Sequence, residues 1–380
     1  MKVGTLAISA HATVRKQFGI SIGKFEGIEE PLARIAGGLY MVDAMRMYTL
    51  GALDKGTKPP VVTAIAKYNA TEISRKMIND AMDISGGAGI SRGPRNLLAN
   101  FYIATPIGIT VEGANIMTRT LIIFGQGAMR AHPYAFKEVD AIGKKDLSAF
   151  DTAFWSHVGH VVRNLFRAVV LSCTRGWMAG SPVSGSTARY YRRLSWTSAT
   201  FAIMADIAMG SLGGSLKMKE KITGRFADVL SWMYIGTAVL RRFKAEGSKK
   251  EDLPFVHFCM NHALYEIQKA FDGIFSNLEV PGLTWFFKIF IRSWSNLNAL
   301  AGEPSDDHTH KIASLILSDT DQRQRLTTGV YVPKSEKDGL GRLETAFHAV
   351  KAAEAIEKKI RAAVKNGVIP KKRGADYTAL

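Results

Sequence analysis

Apolar residues recur at intervals of three and four along most of the chain. Residues 28–42 and 222–243 show this spacing most clearly, and each stretch covers several helical turns. The spacing places apolar side chains on one helical face, so it predicts amphipathic α-helices. Strand-like alternation is nearly absent, and residues 329–333 form the one short candidate strand. We therefore expect an all-α protein.

Clusters of glycine and proline divide the helical pattern into units. The cluster at residues 56–60 suits the short connection between antiparallel helices of a bundle. We predict one helical bundle over residues 1–135, a polar linker at residues 140–151, and a second helical region over residues 148–380. The second region ends in a helix at residues 342–365, followed by a basic tail.

The net charge of +17 raises the question of a nucleic-acid partner. Nucleic-acid surfaces usually concentrate their basic residues, whereas the excess here is spread along the chain. The best local cluster, RYYRR at residues 189–193, is better explained as a solvated helix face. We expect no nucleic-acid partner. Diffuse positive charge suits an anionic ligand, an acidic protein or an anionic membrane surface.

Cysteine content and apolar runs bear on the compartment. Cys173 and Cys259 are the two cysteines, and they lie in no metal or redox spacing, which fits a reducing compartment. The first residues carry no signal-peptide pattern. Residues 196–216 are the nearest approach to a membrane span, but they are rich in Gly, Ser and Ala and contain Asp206. We predict a buried helix there and a cytoplasmic protein.

The aromatic segment at residues 283–294, LTWFFKIFIRSW, allows two interpretations. Large aromatics beside Lys288 and Arg292 suit an interfacial helix or a partner groove, which leaves peripheral contact with the inner membrane as an alternative. Burial within the second helical region is favoured. Histidine-containing stretches at residues 157–160, 257–262 and 306–310 lack a full set of metal ligands, so we expect no metal.

Glu112 is the only acidic residue between Asp83 and Glu138. It precedes a strongly apolar helix predicted over residues 114–129, and a helix N-terminus stabilises an anion by roughly 0.3 to 1 kcal/mol. Its apolar neighbours predict a desolvated carboxylate, which is the kind of group that a general base requires. On spacing alone, a carboxylate that only caps the helix explains the position better.

The glycine-rich stretch at residues 86–93, GGAGISRG, is not a dinucleotide-binding loop. That motif follows a strand and opens a helix, whereas this stretch follows a helix predicted over residues 62–84. Termination of that helix by glycine is the simpler interpretation. Small residues also allow a ligand to approach the backbone closely.

Three segments together carry a resemblance to a known family. They are RKQFG at residues 15–19, DAMDISGGAG at residues 80–89 and VEG at residues 111–113. In this order they resemble the C-terminal helical domain of the acyl-CoA dehydrogenases, with its R-x-x-F-G, Q-x-x-G-G-x-G and Y-E-G-T patterns. The resemblance implies a C-terminal four-helix-bundle domain over residues 1–135.

The remainder of the chain resembles the large bacterial members of fatty-acid β-oxidation. HVGH at residues 157–160 and GGSLK at residues 213–217 carry this part of the resemblance. Those members have an added C-terminal helical domain, which corresponds here to residues 148–380. The resemblance implies FAD-dependent α,β-dehydrogenation of fatty acyl-CoA to trans-2-enoyl-CoA. It also implies an electron-transfer flavoprotein or an equivalent acceptor, and a homo-oligomer.

The resemblance assigns roles residue by residue. Glu112 matches the base that removes the α-proton of the acyl thioester while the β-hydrogen leaves as a hydride to the flavin. Gly113 matches a position that lines the thioester. The positions that match FAD contacts are Arg15, Gln17, Phe18, Asp83, Gly86 and Gly87.

The chain departs from the family pattern at several positions. Asp83 and Glu26 stand where the family has glutamine, so we expect a rearranged contact with the adenine end of FAD. Val111 replaces the tyrosine and Ala114 the threonine around Glu112. The assignment of Glu112 is unaffected, because the chemistry requires only the carboxylate and its placement.

In the family, an N-terminal helical domain and a middle β-domain precede the C-terminal domain. This chain opens inside the first helix of that last domain, so we expect it to be the C-terminal part of a longer enzyme and to lack turnover alone. The alternative is a non-catalytic helical module for assembly or membrane association.

Overall fold

A computed structural model describes residues 1–57, 59, 61–335 and 337–369. Across these residues the structure is almost wholly helical, which confirms the all-α prediction. Residues 58 and 60 of the predicted helix connection lie outside the described residues, as do residues 370–380 of the predicted basic tail.

The α-helices vary in length from one turn to eight, and their bounds follow in chain order. They are α1 Lys2–Val14, α2 Glu26–Asp54, α3 Val62–Ser85, α4 Gly87–Ile90, α5 Ala99–Ala104, α6 Asn115–Met117, α7 Gly127–Ala131, α8 Ala135–Lys144, α9 Leu147–Cys173, α10 Ala188–Leu212, α11 Glu220–Ala245, α12 Leu253–Asn277, α13 Thr284–Phe286, α14 Arg292–Leu297, α15 Asp306–Ile316, α16 Asp321–Thr327 and α17 Gly339–Lys365.

Tighter and wider helical turns interrupt or extend these helices. The 3₁₀ turns are Ile22–Lys24, Thr105–Ile109, Gly213–Met218 and Lys250–Asp252, and the π-helical segments are Thr118–Gln126 and Phe287–Ile291. In the first π-helical segment the ladder extends five residues back, since the Gly127 N–H bonds to the Ile122 carbonyl.

The strand pair that the structure describes lies near the N-terminus. Strand β1, Lys16–Gln17, pairs antiparallel with strand β2, Ile20–Ser21. Phe18 and Gly19 form the turn with φ of 51° and 82°, as a two-residue hairpin of the primed type requires.

The predicted strand at residues 329–333 is wrong. These residues are irregular, and Val330 and Val332 pack against a buried apolar cluster that contains Leu6 and Leu340. The two valines alternate with other residues because both pack against the same apolar cluster. They do not belong to a paired strand.

The chain forms two compact units that do not follow sequence order. Unit 1 comprises Met1–Ala36, Met77–Ile103 and Thr309–Leu380, and unit 2 comprises Gly37–Lys76 and Ala104–His308. The boundary that the sequence suggests between residues 135 and 148 stays a prediction.

The predicted polar linker at residues 140–151 is wrong, because these residues are mostly helical. Helix α8 ends at Lys144 and helix α9 begins at Leu147. Asp146 caps α9 by accepting a hydrogen bond from the Ala149 N–H, so its polarity reflects a helix start.

A buried ion pair joins three helices of unit 1. Arg323 on α16 lies 2.7 Å from the Glu344 carboxylate on α17, and both side chains are buried. The guanidinium also donates to the Ser9 hydroxyl on α1 at 3.2 Å and lies 4.0 Å from the Phe347 ring centroid. These contacts satisfy the buried charge on several sides.

The core of unit 2 lies between α11 and α12, where apolar residues line the facing surfaces. Phe226 on α11 stacks on Phe124 of the π-helical segment, with ring centroids 4.4 Å apart. The fully buried residues of α12 include Val256, Met260, Leu264, Ile267 and Ile274.

Helix α10 with its following turn, Ala188–Met218, is long and apolar enough to cross a membrane by length and composition alone. A core helix meets the same test. One third of its most apolar stretch is buried, and Ala199, Ile203 and Ala208 belong to the buried face. The expected buried helix is therefore buried on one face.

Candidate active site

Glu112 occupies a sharp turn three residues before α6. After the Thr105–Ile109 turn, Glu112 and Gly113 have φ values of 55° and 95°. Both values lie in the left-handed region, which glycine adopts easily and glutamate rarely. The predicted position just outside a helix N-terminus agrees with the structure, because α6 and the π-helical segment follow directly.

A partly buried polar network holds this turn against helix α3. The Lys67 ammonium donates to the Gly113 carbonyl at 2.6 Å and to the Asn115 amide oxygen at 2.7 Å. The Asn115 amide nitrogen donates to Thr71 and Glu72 at 2.9 and 2.8 Å. Because Asn115 is only 4% exposed, these bonds are shielded from water and fix the peptide after Glu112.

The next turn carries a second anchor. Arg119 donates through Nε to the Asp228 carboxylate on α11 at 2.7 Å, and this hydrogen bond raises the pKa of Arg119. Burial, together with the nearby Asp228 charge, raises the pKa of Tyr68 to about 12, so its hydroxyl stays protonated at neutral pH.

The expected desolvation of Glu112 is wrong within this chain. Its side chain is exposed. Apolar neighbours desolvate a carboxylate only when they enclose it, and the neighbours here are exposed themselves: Ile107, Val111, Ile116 and Met117. Several exposed apolar side chains close together in sequence are typical of a surface that another chain or ligand covers.

The RKQFG segment forms the β1–β2 hairpin, and its tip projects into solvent. Phe18 is 95% exposed although it is aromatic, and it adopts a left-handed conformation that is unfavourable for a bulky residue. Arg15 and Gln17 are exposed beside it. With its amide oxygen turned toward Arg15, Gln17 accepts a hydrogen bond from the guanidinium at 2.6 Å.

The glycine turn after α3 also faces solvent. Helix α3 ends at Ser85, which confirms that glycine terminates it, and Gly86 has φ 55° and ψ −135°. A Cβ at Gly86 or Gly87 would meet no atom within 4 Å. Packing within the chain therefore does not require glycine at position 87, and the backbone is open. Asp83 is exposed one turn earlier.

The predicted site residues are divided between the two units. The hairpin and glycine turn belong to unit 1, whereas Glu112 and Gly113 belong to unit 2. Within the described residues, the hairpin and the glycine turn form no hydrogen bond with each other. The sequence did not predict the Lys67 and Asn115 network, because a buried asparagine at the start of a helix has no sequence pattern of its own.

A histidine cluster that the sequence did not predict lies elsewhere in unit 2. His157 and His160 of α9 meet His132 and Asp206, and His132 Nε2 lies 2.9 Å from the Asp206 carboxylate. One ligand atom each from His132, His160 and Asp206 lie within 4.8 Å of one another. Burial lowers the pKa of His160, although the Asp206 charge opposes this change.

The ring nitrogens of His132 do not suit a metal ligand. Nδ1 accepts the backbone N–H of Ala135 at 2.9 Å, which leaves the proton of the neutral ring on Nε2, beside Asp206. A metal-bound histidine keeps its ligating nitrogen unprotonated and donates from the other. We interpret the cluster as a set of polar contacts that join α9 and α10. His132 and Asp206 lie at ion-pair distance, but their contact does not have the geometry of a hydrogen bond.

Two family models match consecutive parts of the chain. Residues 5–125 match the model described as "Acyl-CoA dehydrogenase, C-terminal domain". Residues 129–379 match "Acyl-CoA dehydrogenase, C-terminal, bacterial type". Together they cover nearly the whole sequence.

Curated relatives match shorter stretches. The mouse mitochondrial very long-chain specific acyl-CoA dehydrogenase is 33% identical over 122 residues, which is 31% of this chain and 18% of that protein. The human counterpart is 34% identical over 146 residues, or 38% and 21%. A 3-(aryl)acrylate reductase from Clostridium sporogenes is 34% identical over 79 residues, 21% of each.

A solved structure shares the fold. The acyl-CoA dehydrogenase complexed with FAD from Bacillus anthracis superposes with a TM-score of 0.64 at 18% identity, over 82% of this chain and 52% of that chain. This chain thus spans about a fifth of the curated relatives' length and about half of the solved chain. The family models cover most of the sequence, and the chain belongs to the acyl-CoA dehydrogenase family.

Proposed function

We propose that this chain is the C-terminal part of a flavoprotein that oxidises fatty acyl-CoA to trans-2-enoyl-CoA, with Glu112 as the catalytic base. The observation that carries the proposal is the rigid turn at Glu112, which the Lys67 and Asn115 network fixes while the carboxylate stays open to a ligand. Family membership and the names of the relatives supply the reaction class.

The residues of this chain have definite tasks in such a reaction. Glu112 removes the α-proton of the acyl thioester, and its carboxylate becomes the carboxylic acid. A bound FAD would supply the acceptor for the β-hydrogen, which leaves as a hydride. Lys67 holds the Gly113 carbonyl and so keeps the Glu112 turn in one conformation, which a positioned base requires. Exposed apolar side chains around Glu112 would exclude water once covered.

The residues assigned to FAD suit contact with a planar, anionic ligand. Phe18 offers an exposed ring at the hairpin tip, and Arg15 offers a cation beside it. The open backbone at Gly86 and Gly87 would admit the close approach of a ligand. In the family these positions meet FAD of a neighbouring subunit, so the proposal includes a homo-oligomer, with an electron-transfer flavoprotein or equivalent acceptor and a cytoplasmic location.

The test uses the complete enzyme that contains residues 1–380, with wild type compared with Glu112→Gln. We expect the substitution to lower kcat for hexadecanoyl-CoA about 10²- to 10⁴-fold, because glutamine has a similar shape and is not a base. Flavin absorbance should stay unchanged, which separates chemistry from cofactor loss. Turnover of the Glu112→Gln enzyme within tenfold of wild type would rule out this role.

The aromatic segment favours a second function, which is peripheral contact with the inner membrane. The predicted burial of residues 283–294 is wrong for most of the segment. Phe287 is buried, but Trp285, Ile289 and Phe290 are more than half exposed. Exposed aromatics beside Lys288 suit the interface of an anionic bilayer. Flotation with anionic liposomes tests this function. Equal flotation of wild type and Trp285→Ala would show that the segment does not bind the membrane.

A further inference from the structure

Unit 2 contains a cavity of about 380 Å³ that has no part in the Glu112 site. It lies between α9, α10, α12 and the segment from α13 to α14. None of the residues that hold the Glu112 turn lines it. Its walls are almost wholly apolar, and they include Leu165, Val169, Ile203, Phe271, Phe287 and Trp294.

Four polar side chains in the walls take part in hydrogen bonds within the chain. The Trp294 indole N–H donates to the Ser172 hydroxyl at 2.6 Å. Gln268 donates to the Ser295 hydroxyl at 2.9 Å and accepts from the Leu300 N–H at 3.1 Å. These groups are therefore not available to a polar ligand, and an occupant would gain most by burying apolar surface.

The volume indicates an alkyl chain. A cavity of about 150 Å³ accommodates benzene, with six carbon atoms, so by proportion 380 Å³ accommodates about fifteen. A single turn of a partner helix with its side chains occupies roughly 420 to 610 Å³, which is more than the cavity offers. A single hydrocarbon chain uses the space better than a protein helix does.

Basic residues neighbour the cavity's lining residues in sequence. Leu165 and Trp294 are exposed while they also line the cavity. Residues 165–173 and 286–300 contain lining residues, three basic residues and no acidic one. Two of the three have partners: Arg292 is paired with Asp272, and Arg167 donates to Asn164 and Ser195. The third, Lys288, is exposed and directly follows the lining residue Phe287. A cation beside the cavity favours an anionic headgroup.

We propose that this cavity binds a long-chain fatty acid, with the alkyl chain inside and the carboxylate near Lys288. The site does not depend on the role of Glu112, and it differs from membrane contact because its size limits the bound chain. Two tryptophans, Trp196 and Trp294, and the exposed thiol of Cys173 line the cavity and serve as reporters.

The experiment titrates the purified chain with saturated carboxylates of ten to twenty carbons, each below its micelle concentration, and follows tryptophan fluorescence. We expect affinity to rise roughly threefold to fourfold per methylene up to about fifteen carbons and then to level off. Hexadecanoate should slow maleimide labelling of Cys173 at least tenfold. The second thiol, Cys259, is fully buried and should not label in the folded protein.

Matched variants test whether the fatty acid binds in this cavity. Ala168→Trp fills the cavity and should weaken hexadecanoate binding at least tenfold, whereas Val162→Trp lies exposed on the same helix outside the cavity and should not. If Ala168→Trp does not fold, the effect of hexadecanoate on maleimide labelling of Cys173 in the wild-type protein tests the proposal instead. Affinity that keeps rising to twenty carbons, unprotected Cys173, or equal affinity for methyl hexadecanoate would each overturn the proposal.

Discussion

The Lys67 ammonium lies 2.6 Å from the Gly113 carbonyl, although 46 residues separate the two in sequence. This hydrogen bond connects a surface helix to the peptide that follows Glu112. The same ammonium also bonds Asn115, so one side chain fixes both sides of the turn. The placement of the proposed base therefore depends on a residue that does not touch substrate.

We predict that Lys67→Met lowers kcat of the complete enzyme ten- to hundredfold with a smaller change in KM. The reason is that the Glu112 turn loses its anchor, and a misplaced group of about 1 Å costs up to a hundredfold in rate. Steady-state kinetics with hexadecanoyl-CoA measures this. Lys76→Met, an exposed lysine on the same helix, is the control. Equal kcat in the two variants would refute a positioning role for Lys67.

Asn115→Leu should destabilise the chain by about 2 kcal/mol, because buried donors and acceptors around it lose their partner. The measurement is urea unfolding followed by circular dichroism. Asn115→Asp keeps the acceptor for Lys67 but turns a carboxylate oxygen toward Glu72, so it should also destabilise the chain. If the leucine variant were as stable as wild type, the network would have no structural importance.

The residues 1–380 alone should not oxidise acyl-CoA above the level of Glu112→Gln. In this chain Glu112 is exposed and its apolar neighbours are open to solvent, so nothing excludes water from the reacting atoms. A dye-coupled assay with added FAD and hexadecanoyl-CoA checks this. Activity of the wild-type chain well above its Glu112→Gln control would contradict the expectation.

Arg323→Met should cost about 3 to 5 kcal/mol in unfolding free energy, since it leaves the Glu344 carboxylate buried without its partner. The double variant Arg323→Met, Glu344→Leu should recover much of that loss, because no uncompensated charge remains. Arg325→Met on the same helix is the control, with an expected cost near 0.5 kcal/mol for its exposed pair. A double variant no more stable than Arg323→Met alone would contradict the buried-charge explanation.

Stability should fall as pH decreases below about 6.5. Burial lowers the pKa of His262, although Glu266 opposes this, and burial also lowers the pKa of His11 and His160. Below 6.5 the unfolded chain therefore binds protons that the folded chain does not, so the free energy of unfolding rises with pH up to that value. His262→Gln should flatten the slope between pH 5 and 6.5. An unchanged slope would show that His262 titrates normally.

The spacing of apolar residues predicted the helices and the position of Glu112 just before one of them. Both features depend on residues that are close together in sequence. The contacts that fix Glu112 were not predictable, since helical periodicity does not say which turn of one helix meets another. His132 and Asp206 were missed for the same reason. The strands of the hairpin are two residues long, which is too short for a visible alternation of apolar and polar residues. Val330 and Val332 do alternate with other residues, and they led to the wrong prediction of a strand.

The π-helical segment Thr118–Gln126 gives the chain some tolerance for a change in its length. Its wider turns hold more residues than an α-helix of the same rise. Removing one residue can therefore tighten a π turn to an α turn without rotating the residues before it. In a regular α-helix the same deletion would rotate everything before it by about 100°. A single deletion within this segment can leave Asn115 facing α3 and Glu112 in its present direction.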